Sequence, residues 1–339
     1  MIVKNEEKYL EQCLNSVKDI VDEIIIVDTG STDKTKEIAK KFSDMRVSSR
    51  TRSQVTAKVF DFKWSDDFSE ARNESLKHAT KEWILVLDAD EIIDKSGLEK
   101  IKEAIEHNGS ISGFQLERRS YLENYFEGAY ENKSSLEQVR KYPFYISNFL
   151  ARLFKNKLGI QFKHRVHELI EDSMNEQKLE FKKADIIIHH FGTLKERGLI
   201  SSKVDMYSRM ILHQYEDHPD SPRYLYQAAR MYLGRNDLPN ALKFFEMAAG
   251  IDPHYKLVFS EIAKIHMRMN NENKVIENFR KSMELNPDNP SPANNLAVVY
   301  MSTGKFESAK KILEEQLKKN PDNGALKYNY EECLKSLKK

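Results

Sequence analysis

The residues most able to do chemistry are the carboxylates of Asp88-Ala89-Asp90-Glu91, which follow directly on the apolar run Trp83 to Leu87. Acids gathered behind a buried strand repel one another unless a cation or a hydrogen-bonded ligand compensates them. Hard divalent ions, Mg²⁺ or Mn²⁺, prefer such oxygen donors and in turn hold a diphosphate. In an extended chain Asp88 and Asp90 face one way and Ala89 the other. A second acid occupies a comparable place. Asp28 ends the run Glu23 to Val27 and opens the turn Asp28-Thr29-Gly30-Ser31-Thr32-Asp33. In open α/β sheets ligands bind beyond the carboxyl ends of strands, so an acid there points into the crevice. The same residues also read as a plain turn, with Asp33 or Thr32 capping the next helix and Gly30 bending the chain. His189 and His190 end a third apolar run, Ile186 to Ile188. Either could complete a metal shell or contact a diphosphate.

These side chains need a frame. Glu23 to Val27, Trp83 to Leu87 and Ile186 to Ile188 read as buried strands. Tyr9 to Ile20, Lys34 to Phe42, Ser69 to Ala79 and Leu98 to Glu106 read as amphipathic helices between them. Such alternation predicts an α/β domain with an open, largely parallel sheet and helices on both faces. Between Phe42 and Val59, Arg46, Arg50 and Arg52 stand among Ser and Thr without period. That stretch reads as an extended loop, either solvated or forming a basic flap over an anionic ligand.

After about residue 200 the strands cease and a repeat begins. Pro219, Pro253, Pro287 and Pro321 recur every 34 residues, the period of tetratricopeptide helix-turn-helix units. Ala229, Ala263 and Ala297 keep the same step, as do Tyr232, His266 and Tyr300, and Phe245, Phe279 and Leu313. The predicted turns within units fall at Gly234 to Asp237, Asn270 to Glu272 and Thr303 to Lys305. The expected organisation is an α/β domain over 1–200 and an all-α repeat domain over 201–339. The repeats span about 220–253, 254–287 and 288–321, with a helix at Lys203 to Tyr215 before them and a Lys-rich capping helix over 326–337.

Composition narrows the function classes. In 339 residues, 54 Lys and Arg nearly cancel 53 Asp and Glu, leaving a formal charge of +1. No bulk field recruits nucleic acid or an anionic membrane. Cys13 and Cys333 lie near opposite ends and read as buried thiols rather than a disulfide. The sequence contains no apolar run of membrane-spanning length and no signal-peptide core, so a cytoplasmic location is expected.

The segments MIVKNEE (Met1 to Glu7), VDTGSTDKT (Val27 to Thr35), WSDDFSEARNESL (Trp64 to Leu76) and EWILVLDADE (Glu82 to Glu91) resemble, in order and spacing, the family 2 glycosyltransferases of GT-A fold. The resemblance implies a UDP-sugar donor and a Mn²⁺ or Mg²⁺ cofactor. It implies Val3, Asn5 or Glu6, and Asp28 as contacts to the base, with Arg72 and Asn73 close to the nucleotide. Asp88 would hold the ribose, Ala89 would sit among the nucleotide-sugar contacts, and Asp90 would hold the cation, with His190 as a second metal residue. Only Met1 to Val3 stand where that family's first strand is longer. The segments Arg152 to Lys155, Phe162 to Glu168 and His189 to Gly192 resemble a subgroup that often carries tetratricopeptide repeats. That subgroup includes bacterial enzymes that glycosylate peptides, among them bacteriocin S-glycosyltransferases, and more distantly enzymes of lipopolysaccharide core assembly.

An inverting transfer needs a base on the acceptor side and neutralisation of the leaving diphosphate. Glu168 is the first candidate base, with His167, Glu171 and Asp172 as competitors. The repeats carry no evident catalytic residue. They offer a surface for a peptide or protein acceptor, or for self-association as a homodimer. A glycan or lipid-linked acceptor is the rival reading. A third is a non-catalytic repeat scaffold, against which the intact Asp28, Asp88 and Asp90 argue.

Overall fold

The computed structural model describes residues 1–43, 56–125, 129–192 and 200–338. It divides into two compact units, Met1–Met210 and Ile211–Lys339. The expected basic flap at Arg46, Arg50 and Arg52 falls outside the described residues.

Among its described residues the first unit contains two sheets. In the smaller, β1 (Ile2–Val3), β2 (Glu23–Asp28) and β3 (Thr56–Asp61) run parallel in the order β1-β2-β3. Register places Val3 and Asp61 on either side of Asp28. The β-branched run of β2 supplies Ile24 and Ile26 to a core with Leu10, Leu14, Ile38 and Phe42. Two helices pack there, α1 (Leu10–Val17) and α2 (Thr35–Ser43). Leu10, Cys13, Leu14 and Val17 fall at i, i+3, i+4 and i+7, so α1 buries one continuous stripe. The stretch Thr56 to Val59, expected as loop, belongs to strand β3. Its pairing with β2 supplies an order that its own polar composition does not signal.

The larger sheet corrects the expectation of largely parallel strands. It contains β4 (Trp83–Leu85), β5 (Glu91–Ile93), β6 (Gly113–Leu122), β7 (Tyr130–Glu131), β8 (Phe144–Lys155) and β9 (Phe181–His190). The order is β4-β8-β6-β9-β5 with β7 on β8, and only β6 and β9 pair in parallel. Strands β6 and β8 escape a search for apolar runs because charged residues interrupt them: β6 reads GFQLERRSYL. Their length is held by antiparallel pairing with each other, from Gly113 opposite Phe154 to Leu122 opposite Phe144. Helices α3 (Phe68–His78), α4 (Lys95–Glu106) and α5 (Glu171–Glu176) complete the layers. The first two start at acidic caps, Asp67 accepting from the Glu70 amide and Asp94 from that of Gly97.

Helix α6 (Ile200–Asp217) begins where strand texture ends, and the two compact units divide within it. In the second unit three helix pairs follow: α7 (Pro222–Gly234) with α8 (Leu238–Ile251), α9 (Val258–Arg268) with α10 (Glu272–Leu285), and α11 (Pro290–Ser302) with α12 (Phe306–Lys319). Helix α13 (Gly324–Leu337) closes the array. Ala229, Ala263 and Ala297 are fully buried, as are Phe245, Phe279 and Leu313. A small column thus lets helices approach while a large one fills the space between them. Asn236, Asn270 and Gly304, again 34 apart, adopt left-handed backbone at φ 62°, 55° and 73°. Asn and Gly are the residues that tolerate that conformation, so each unit turns at the same point for the same reason. No helix among the described residues is long and apolar enough to cross a membrane.

Candidate functional site

Asp28, at the carboxyl end of β2, is 1% exposed. Its Oδ1 accepts from the amides of Gly30 and Ser31 at 2.9 and 2.8 Å, and Lys36 Nζ lies 3.6 Å away. Its Oδ2 is buried and has no hydrogen-bond partner among the described residues. A buried carboxylate oxygen left without a donor is unfavourable, and a ligand N–H would relieve it. Gly30, at φ 104°, permits the bend that aims both amides at Oδ1. The other expected base contacts build the wall of this turn. The Val3 carbonyl accepts from the Thr29 amide at 2.9 Å, Asn5 Oδ1 accepts from the Thr32 amide at 2.8 Å, and the Glu6 amide donates to Thr35 Oγ1 at 2.7 Å.

The acidic triplet is not an extension of β4. That strand ends at Leu85, and the Glu91 amide closes a turn on the Asp88 carbonyl at 3.0 Å. Hydrogen bonding of the turn replaces strand pairing here, so Asp88 and Asp90 serve different partners rather than sharing one face. Ala89 between them is buried in the core beneath β2. Asp88 Oδ1 receives Arg72 Nη2 at 2.7 Å and its Oδ2 receives Arg152 Nη2 at 3.2 Å. Burial pushes the Asp88 carboxyl up, but Arg72 and Arg152 outweigh it and hold it well below the usual carboxylate range. Glu91, fully buried, takes the Asp88 amide on Oε2 at 2.9 Å. Its Oε1 lies 3.2 Å from Arg118 Nε and 3.6 Å from Arg152 Nη2. Burial is the larger influence on Glu91 and raises its pKa. Arg118 and Arg152 carry no role in the sequence reading. Each sits on a strand of the β6–β8 pair, and only that pairing brings both guanidinium groups beside Glu91.

Asp90 Oδ2 lies 3.7 Å from His190 Nε2, while His190 Nδ1 is 2.8 Å from Ser120 Oγ. The alternation of β9 sends His189 the other way, to the Tyr121 hydroxyl at 2.6 Å and toward Asp94. Burial lowers the pKa of His189. Gly192 leaves the Asp90–His190 gap open. A Cβ there would collide with His190 Nε2 and stand 2.7 Å from Asp90 Oδ2. One carboxylate oxygen and one imidazole nitrogen at this separation fit a divalent ion that keeps substrate oxygens and water as its other ligands. Among the described residues no three His, Cys, Asp or Glu side chains form a group able to hold a metal.

Glu168 lies on a short loop closed by paired backbone hydrogen bonds between Lys163 and Leu169. His164 and His167 in that loop hold φ of 79° and 56°, conformations unfavourable for side-chain-bearing residues. Arg72 Nε donates to Glu168 Oε1 at 2.6 Å, so one buried guanidinium joins Glu168 to Asp88. Its positive charge survives burial because Asp88 and Glu168 outweigh the desolvation. The competitors are engaged elsewhere: Glu171 Oε1 accepts from the Ala151 amide at 2.8 Å, and Asp172 pairs with His164 at 2.5 Å. His167 is exposed. Asn73, expected close to the nucleotide, engages the chain itself. Its amide clamps the backbone of Phe162, donating to the carbonyl at 2.9 Å and accepting from the N–H at 2.8 Å.

Comparison with known proteins agrees with this geometry. Residues 1–175 match the glycosyl transferase family 2 model, and residues 266–329 match a tetratricopeptide repeat model. A TPR repeat-containing protein of Synechococcus elongatus is 31% identical over 252 residues, covering 73% of this chain and 54% of its own. The SPbeta prophage-derived glycosyltransferase SunS of Bacillus subtilis is 29% identical over 231 residues, covering 67% of this chain and 46% of its own. The lipopolysaccharide core biosynthesis glycosyltransferase LpsC of Rhizobium meliloti is 30% identical over 125 residues, 37% of this chain and 43% of its own. This chain therefore spans about half the length of the relatives it matches. The strand-end acids and their arginine network lie within the part that the first model covers, and the chain belongs to glycosyl transferase family 2, with tetratricopeptide repeats in its C-terminal part.

Proposed function

We propose that this chain moves a hexose from a UDP-sugar to a side chain of a peptide or protein, inverting the anomeric centre, with Mn²⁺ or Mg²⁺ as cofactor. The observation that carries the reading is the Asp90–His190 pair held open by Gly192, in a family that uses nucleotide-sugar donors. Asp28 Oδ2 accepts a base N–H, and Asp88, partly exposed between two arginines, accepts a ribose hydroxyl. Asp90 and His190 would hold the divalent ion, which when bound supplies charge neutralisation for the departing diphosphate. Arg72 orients Glu168, whose second carboxylate oxygen would take the acceptor proton as general base. His167 borders this position on the same loop. The proposed catalytic domain covers 1–200 and the repeat domain 201–339, whose stacked helix pairs suit an extended polypeptide acceptor.

The test combines a nucleotide-sugar panel with candidate peptides in the presence of Mn²⁺. UDP-sugar consumption and peptide mass gain are the expected outcome. Glu168→Gln should lose transfer while retaining UDP binding, and retained turnover by that variant would remove Glu168 as base.

A further inference from the structure

Resting on the nucleotide-sugar reading above, we infer that Arg118 is a diphosphate-binding residue whose guanidinium takes a phosphate oxygen of the donor beside the Asp90–His190 pair. Three arginines converge under the acidic turn, and they are not equivalent. Arg72 and Arg152 are each 7% exposed at the side chain, and both are anchored on Asp88. Arg118 is 24% exposed and is the one of the three that opens toward solvent.

Its contacts within the chain are poorly directed. The buried Nε lies 3.2 Å from Glu91 Oε1 but makes no hydrogen bond with it. Nη2 lies 3.2 Å from both ring nitrogens of His190, one of which already meets Ser120 Oγ while the other faces Asp90. Nη2 thus divides its contact between the two ring nitrogens rather than donating squarely to either. Glu91, the carboxylate beside Arg118 Nε, is shared with Arg152 and with the Asp88 amide. A positive group therefore stands at the edge of the candidate cation site with an unsatisfied donor for an anion. Planar guanidinium donors match phosphate oxygens, and a fixed donor aimed at developing charge stabilises a leaving group without reorganisation. In the transfer, the bond from C1 of the sugar to the β-phosphate oxygen breaks and its electron pair stays on that oxygen. The acceptor heteroatom bonds to C1, and its proton passes to Glu168. Arg118 meets the charge left on the diphosphate.

The experiment titrates UDP and uridine into the full chain, with and without Mn²⁺, for the unaltered protein, Arg118→Gln, Arg118→Lys and the double variant Arg118→Gln/Glu91→Gln. The double variant avoids leaving a buried carboxylate short of its partner. UDP affinity should fall about 10- to 100-fold in Arg118→Gln and in the double variant, the loss of one charged hydrogen bond. Uridine affinity should hold constant, and Arg118→Lys should lie between. UDP binding unchanged in both glutamine variants, or UDP and uridine weakened alike, overturns the assignment of Arg118. Failure of the unaltered chain to bind UDP at all overturns the nucleotide-sugar reading and this inference with it.

Discussion

Phe279 and Arg72 are both buried, one in the repeat unit and one in the family 2 unit, yet they hold their surroundings together by opposite means. Phe279 fills a column that recurs every 34 residues, and neighbouring repeats perform the same task with Phe245 and Leu313. Arg72 has no counterpart. It ties Glu168, distant in sequence, to Asp88 on the acidic turn, and Asp88 in turn to Arg152 and Glu91. Apolar columns are redundant, local and shape-based. A buried charge network is singular, and removing one member strands the others. Redundancy suits a scaffold, whereas singular charged contacts suit a site that must meet a charged ligand.

The difference can be broken from either side. The largest effect is expected from Arg72→Ala, which leaves Asp88 and Glu168 without their shared cation. Stability of the family 2 unit should drop by about 3–5 kcal/mol, with UDP binding lost, as read by chemical denaturation and calorimetry. Phe279→Ala should cost about 3–5 kcal/mol in the unfolding of the repeat unit and leave UDP affinity unchanged, since no strand-end acid depends on it. Weakened UDP binding in that variant would contradict the separation of roles between the two units. Gly304→Ala is the smallest. The left-handed turn then carries a Cβ, and a loss of about 1 kcal/mol in the melting of the repeats is expected. Gly250→Ala, inside helix α8 with nothing within 4 Å of the added carbon, serves as its control and should not destabilise.

The same contrast decides what was legible in the sequence. The helix pairs of the repeat unit fall on the turns predicted from the proline and alanine columns, because each unit makes its contacts with its neighbours in the chain. Asp28 and the acidic triplet were legible because each ends an apolar run, which marks a strand end without knowledge of its partners. Arg118 and Arg152 were not. Their place depends on β6 pairing with β8, and strands interrupted by charge at one face give no apolar run to find. The choice between His189 and His190 needed the register of β9, which sends one to Tyr121 and the other to Ser120. Asn73 stood in a recognisable motif, but its engagement with the Phe162 backbone is a long-range contact that no local pattern announces.

In the proposed function Asp28 and the Asp90–His190 pair together receive a nucleoside diphosphate and a divalent ion. This joint binding is tested most directly by titrating UDP into the unaltered chain and into Gly192→Ala, each with and without Mn²⁺. Mn²⁺ should strengthen UDP binding by about 5- to 150-fold in the unaltered chain, the usual range of coupling between two ligands. In Gly192→Ala, where a methyl group fills the gap between Asp90 and His190, the metal-free affinity should persist and the strengthening should vanish. Equal UDP affinity with and without Mn²⁺ in the unaltered chain, or an undiminished Mn²⁺ effect in the variant, would contradict it.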